Sequence, residues 1–283
     1  YKKHICLSIR VKTAKQKRVK MQKILEKHDN SSLKKLTSEH YDKYTFIEPN
    51  IEENMKFIQK NSLFAELLPL GDIKERIIEI GCGTGRGLNL LEMAGKKDIV
   101  GIDISAKELE VAKGYLKHSR LGSGDATDLR QFEDNSFNTV ICYGVAHHTP
   151  MPKKVFGECS RICKEDGIII FGVYNKRSMY YYDYKLFKRS VNFIFKKNLD
   201  KYFMPIFRLW RYLNHGGKAD DKTVVSWITD RYMPPIVEFY KEEEIKEWAK
   251  GKNLEVLKTV YVNRKSMMNF LFRKPESPKS CKR

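Results

Sequence analysis

The sequence predicts an α/β protein built on a doubly wound, seven-stranded sheet whose last strand is antiparallel. Three observations carry this. Strand-like and helix-like patterns alternate between residues 76 and 173, a glycine-rich turn follows the first of those strands, and the alternation resumes over residues 242–272 after an interruption. Parallel strands need a crossover of a dozen or more residues, and this spacing supplies it. A chain of 283 residues, 41% hydrophobic and 31% charged, can bury a sizeable core and does not have a disordered composition. It contains no apolar run of about 18 residues, so no membrane-spanning helix is expected.

Apolar residues at near-helical spacing over 50–68 predict one or two helices ahead of the sheet, ended by Pro69 and Gly71. Arg76 to Ile80 is the first strand, Gly85 to Ala94 a helix, and Ile99 to Asp103 the second strand. Ser105, with Glu108 three residues on, predicts an N-cap for a helix running to about His118. Gly122 to Asp125 is a short strand or loop, and Phe137 to Tyr143 a buried strand. Pro152 opens a helix to about Lys164, and the turn Glu165-Asp166-Gly167 leads into the strand Ile168 to Val173. Residues 174–235 break the rhythm and read as a cap insertion of one or two helices. Beyond it come a helix from Glu242 to Gly251, a strand from Leu254 to Tyr261, a turn through Asn263 and a strand from Met267 to Phe272.

Charge divides the chain further. The formal net charge of +19 is concentrated in two stretches: residues 1–35 hold 12 Lys and Arg against two acids, and residues 174–218 hold 11 against two. The remaining residues carry 31 charges of each sign, so the core is neutral. A basic N-terminal arm is therefore expected over 1–35, the main domain over 36–273 with its cap at 174–235, and a disordered Pro, Ser and Lys-rich tail over 274–283. Such basicity suits an anionic partner: nucleic acid, an acidic membrane surface or a phosphorylated substrate. The six cysteines form no CxxC pair. Cys159 and Cys163, four apart, read as packing on one helix; no metal site is expected, and a reducing, cytoplasmic compartment is.

The glycine turn reads Glu79-Ile80-Gly81-Cys82-Gly83-Thr84-Gly85. Glycines there let a ligand approach the backbone beside the amide donors of a helix N-terminus. A dinucleotide fingerprint needs a third glycine three residues after the second, where Arg86 stands, so a pyrophosphate cofactor is disfavoured. Together with Asp103, Gly124-Asp125-Ala126 and the fourth-strand segment through Tyr143-Gly144 to His147-His148-Thr149-Pro150, the turn resembles the motifs of class I S-adenosylmethionine-dependent methyltransferases. The likeness is to the type 11 and ubiquinone-biosynthesis-like kind, with a Rossmann-like sheet. One departure is Asn138, where that family usually has Asp; it keeps size and polarity but not charge.

The resemblance implies S-adenosyl-L-methionine as cofactor, held by Glu79, Gly81, Cys82, Gly83, Gly85, Asp103, Ile104, Asp125, Ala126, Tyr143 and Gly144, with Asp103 on the ribose hydroxyls and Asp125 on the adenine amino group. Histidine titrates near neutrality, so His148, or less readily His147, is the candidate general base beyond the fourth strand. Residues 171–175 and 227–235 resemble a subgroup with an insertion after the fifth strand. Such an insertion would roof the acceptor and bring Tyr174, Asp230, Arg231 and Tyr232 to it. The expected acceptor is an oxygen or nitrogen atom of a small or carrier-linked molecule. The alternatives are RNA such as tRNA held by the basic arm and cap, and a non-catalytic cofactor-binding module.

Overall fold

A computed structural model describes residues 30–44 and 67–276. Residues 1–29 of the basic arm, most of the helical stretch expected at 50–68, and residues 277–283 of the tail lie outside the described residues. Ahead of the sheet stands α1 (Asn30–Lys43). The core then alternates as β1 (Ile77–Ile80), α2 (Arg86–Met93), β2 (Ile99–Asp103), α3 (Ala106–Lys113), β3 (Arg120–Ser123), β4 (Phe137–Tyr143), α4 (Pro152–Ile162) and β5 (Cys163–Tyr174). The cap comprises α5 (Met179–Lys196), α6 (Asp200–His215) and α7 (Asp221–Tyr232), and α8 (Glu242–Lys250), β6 (Glu255–Val262) and β7 (Met267–Arg273) complete the chain.

The sheet runs β3-β2-β1-β4-β5-β7-β6. β7 lies antiparallel between β5 and β6, and every other pairing is parallel. Period-two alternation along β1 divides the core. Ile77 faces Leu88, Leu90 and Leu91 of α2, whereas Ile78 and Ile80 face Val155, Phe156 and Cys159 of α4 and Ile245 and Ala249 of α8. A strand covered on both faces must be apolar along its length, which is why β1 reads Ile-Ile-Glu-Ile with a single exception. The order reverses at β1, between β2 and β4, and opens a crevice at the carboxyl ends of those strands.

Several boundaries differ from expectation. α3 stops at Lys113, short of His118, because the Glu92 carboxylate accepts the backbone amides of Lys117, His118 and Ser119 and holds that stretch out of the helix. β3 lies two residues earlier than expected: Asp125 is drawn into a turn in which its Oδ1 accepts both Thr127 N–H and Thr127 Oγ1–H at 2.8 Å. β5 starts at Cys163, separating it from Cys159 on α4, and absorbs the expected turn as an irregularity in which Asp166 takes φ 54°. The cap holds three helices rather than one or two, the last set off by Gly216 and Gly217, both at positive φ. Residues 30–35, assigned above to the basic arm, are the first turns of α1.

Phe156 is the hinge of the α4 face, with ring contacts at 5.0 Å to Phe171, 5.5 Å to Phe272 and 5.9 Å to Trp248. Phe156→Ala is expected to lower stability by about 3–5 kcal/mol in equilibrium urea unfolding.

Candidate functional site

At the carboxyl edge of β1 the chain turns sharply. Gly81, Gly83 and Gly85 all have positive φ, and a Cβ on Gly81 would stand 2.2 Å from Val145 Cγ2, so the loop could not close against the end of β4 with any larger residue. Asp103, at the tip of β2, accepts Gly83 N–H at 2.8 Å on Oδ2 and Ser105 N–H at 2.9 Å on Oδ1. Its carboxyl is nevertheless shifted upward, because burial outweighs those bonds. Ser105 in turn caps α3 by accepting Glu108 N–H, and its hydroxyl donates to Asp42 of α1 at 2.7 Å.

α1 closes one side. Lys34 Nζ reaches Asp125 Oδ2 at 2.6 Å, and Ser38 Oγ donates to the Ile104 carbonyl. The other side is closed by the cap and by the short turn Ala146–His148. His148 Nδ1 lies 2.8 Å from the Ile236 carbonyl, which makes Nδ1 the protonated nitrogen and leaves Nε2 as an acceptor. Burial pushes its pKa down to about 4, so the ring is neutral at pH 7. His147 is fully buried, its ring 3.8 Å from that of Tyr174, and neither of its nitrogens has a hydrogen-bond partner. The Arg231 guanidinium lies 3.6 Å over the Tyr180 ring. Asp230, half-buried, has its carboxyl raised to about 6 by burial, partly offset by Arg231 and Arg86.

These elements enclose one cavity of about 480 Å³. Gly81, Gly83, Asp103, Ile104, Asp125, Ala126, Tyr143 and Gly144 line one part, and His147, His148, Tyr174, Trp227, Asp230 and Arg231 the other. Residues 78–171 match the family model for a methyltransferase domain. The chain is 27% identical over 112 residues to a ubiquinone biosynthesis O-methyltransferase of Neisseria meningitidis, a match covering 38% of this chain and 47% of that protein. It thus spans about half the length of such relatives. An uncharacterized protein of Methanocaldococcus jannaschii is 26% identical over 228 residues, 80% of this chain and 78% of its own. The fold matches a chain of the complex between the Haloferax volcanii Trm112 methyltransferase activator and a putative methyltransferase (TM-score 0.57, 14% identity, 86% of this chain and 99% of that one). It also matches a possible histamine N-methyltransferase of Thermotoga maritima (TM-score 0.52, 16% identity, 84% and 99%).

The donor set fits S-adenosylmethionine. Each oxygen of Asp103 has accepting capacity beyond its one backbone bond, enough for two ribose hydroxyls. At Asp125 the Lys34 ammonium already occupies Oδ2, so an adenine amino group must share that oxygen or displace it. Of the positions named from the resemblance, Glu79, Cys82 and Gly85 do not line the cavity. Glu79 lies beneath it, against α2, where a Cβ on Gly87 would stand 2.4 Å from Glu79 Oε1; Cys82 packs with Leu88 and Ile99, and Gly85 caps α2 in a left-handed conformation. Tyr232 is buried inside the cap rather than facing the cavity. Asn138 lies at the opposite end of β4, donating to the Glu75 carbonyl at 2.7 Å. Lys34, Tyr41, Arg86 and Trp227 line the cavity without having been singled out in the sequence. A lysine inside a charge run and a tyrosine at no recognisable spacing carry no signal of their own; only the position of α1 over the sheet edge selects them.

Glu79 yields a measurable consequence. Burial, reinforced by Asp103, raises its carboxyl from 4.5 to about 8. The folded protein therefore holds a proton that the unfolded chain releases, and stability falls as pH rises from about 4.5 to about 8, by at most about 1.4 kcal/mol per pH unit. Glu79→Gln removes this term. Its urea-unfolding free energy, relative to the unsubstituted protein, should rise steadily over that range and level off above pH 8; a difference independent of pH would count against the assignment.

Proposed function

We propose that the protein transfers the methyl group of S-adenosylmethionine to an oxygen or nitrogen atom of a small or carrier-linked acceptor bound under the cap. The observation that carries this reading is the single cavity in which Asp103 and the glycine turn share walls with Asp230, Arg231 and Tyr174. Its volume of about 480 Å³ falls in the range of small-ligand sites, about 300–1,000 Å³. The relatives named as a ubiquinone biosynthesis O-methyltransferase and a possible histamine N-methyltransferase support an acceptor of that size.

When bound, the cofactor supplies a methyl group on a positively charged sulfur, ready for in-line displacement. The protein's share is positioning, exclusion of water and proton removal. Asp230 suits the last task best. At about 6 its pKa lies close to working pH, so the carboxylate is ionised yet still basic, whereas His148 at about 4 is a far weaker base and His147 stacks as a wall on Tyr174. The aromatic side chains of Tyr174 and Trp227 offer flat apolar contact to an acceptor, and Arg231, held over Tyr180, offers a charge to any carboxylate or phosphate it carries.

Incubation with methyl-labelled cofactor and fractionated cell extract should place label in a small metabolite or carrier-linked fraction, and Asp103→Ala should weaken cofactor binding about tenfold or more in titration calorimetry. With the acceptor identified, kcat/KM should fall as pH drops through about 6. Asp230→Asn should abolish that limb and cost about 10²–10⁴ in rate, with His148→Gln costing less. Cofactor binding without transfer to any fraction would defeat the catalytic reading.

A further inference from the structure

The outer face of the cap is apolar where a soluble helix hairpin is normally polar. α5 and α6 each bury one stripe against the cap interior, through Tyr180 and Val191 and through Met204 and Phe207. Each also exposes a second. On α6 this comprises Tyr202, Ile206, Leu209 and Leu213, at steps of four, three and four residues, with Tyr202 81% exposed. On α5 it comprises Tyr182, Leu186 and Phe193, with Leu186 70% exposed. Steps of three and four on α6, and of four and seven on α5, place each set along one side of its helix. An isolated exposed leucine needs no explanation, but an exposed apolar stripe on each of two helices whose buried sides share one cluster does.

The charge around the stripes is of one sign. Residues 174–218 carry 11 Lys and Arg against Asp183 and Asp200 alone. Arg189, Lys196, Lys197 and Lys201 are exposed and form no salt bridge among the described residues, while Arg208 pairs with Asp221. An isologous contact with a second copy would set these cations against one another. Nucleic acid would use the cations and stack on aromatic rings, but leaves Leu186, Ile206, Leu209 and Leu213 without a role. Aliphatic and aromatic side chains flanked by unpaired lysines and arginines match an acidic bilayer, whose headgroups take the cations and whose acyl boundary takes the apolar stripe. No helix among the described residues is long and apolar enough to cross a membrane, so such contact is peripheral.

We propose that the outer face of α5 and α6 docks on an anionic lipid surface. The site and the methyl transfer do not enter this inference, since none of the stripe residues lines the cavity.

The test is co-sedimentation of the full chain with vesicles of phosphatidylcholine alone and of phosphatidylcholine and phosphatidylglycerol in equal parts. Binding is expected only to the second, and should weaken as salt screens the headgroups. Two variants separate the components. Leu186→Ser with Ile206→Ser and Leu209→Ser removes apolar contact, and Lys196→Glu with Lys201→Glu reverses charge; each should lower the vesicle partition coefficient by about tenfold or more and leave the melting temperature unchanged. Equal binding to both vesicle types, or no binding, overturns the proposal. Full binding by the serine variant overturns it in favour of charge alone. A concentration-dependent dimer or RNA retention that the variants abolish, with no vesicle binding, overturns it in favour of a second copy or a polynucleotide. Unfolding of the serine variant overturns it too, because the stripe would then be packed within the protein.

Discussion

Asp103 is the junction on which the site depends. Its two oxygens hold the amides of Gly83 and Ser105, and so tie the glycine turn after β1 to the tip of β2 and to the start of α3. The tie extends outward: Ser105 caps α3 and donates to Asp42, which fixes the far end of α1, while Lys34 fixes its near end on Asp125. α1 thus lies across the crevice as a consequence of capping and ion pairing at the sheet edge, not of any strong apolar face; Thr37 is its one buried residue. Loss of the Asp103 carboxylate would loosen the turn, the cap of α3 and the seat of α1 together.

The charges are sorted by burial. Glu79, Asp103 and Asp230 sit where water is scarce, and each has its carboxyl raised for that reason before any other. The carboxyl groups of Asp103 and Asp230 on the wall of one cavity suit a cationic cofactor, and the raised basicity of Asp230 suits proton removal, whereas Glu79, beneath the cavity and raised to about 8, keeps its proton near neutral pH. On the outer cap, Arg189, Lys196, Lys197 and Lys201 stand exposed, where hydration makes their charge inexpensive to hold. One face of the cap therefore looks inward with Trp227, Asp230 and Arg231, and the other outward with apolar stripes and cations.

The alternating core was legible because periodicity and punctuation report directly on burial. β2 and β4 have the boundaries their apolar runs indicate, and Ser105 caps α3 as its spacing with Glu108 implies. What was not legible came from partners distant in sequence. Glu92 ends α3 early by capturing three amides more than twenty residues away; β3 is the local exception, set two residues earlier by the turn of Asp125 onto Thr127. The cap pattern suggested fewer helices because its aromatics serve two faces at once, and a helix apolar on both sides loses the single stripe from which a helix is read.

By itself the sequence determined the doubly wound sheet, the glycine turn and the acid at the end of β2, because strand period, crossover length and the need for glycine at positive φ are local demands that each residue meets where it stands. Only the tertiary structure decided which side chains share the cavity. It brought Lys34 and Tyr41 to it from a helix in a basic run and Asp230 and Arg231 from a cap about 130 residues beyond Asp103, and it withdrew Glu79 and Tyr232 into the interior. Which face of a helix or strand points at a cleft depends on what packs against its other side, and that is set by residues far along the chain.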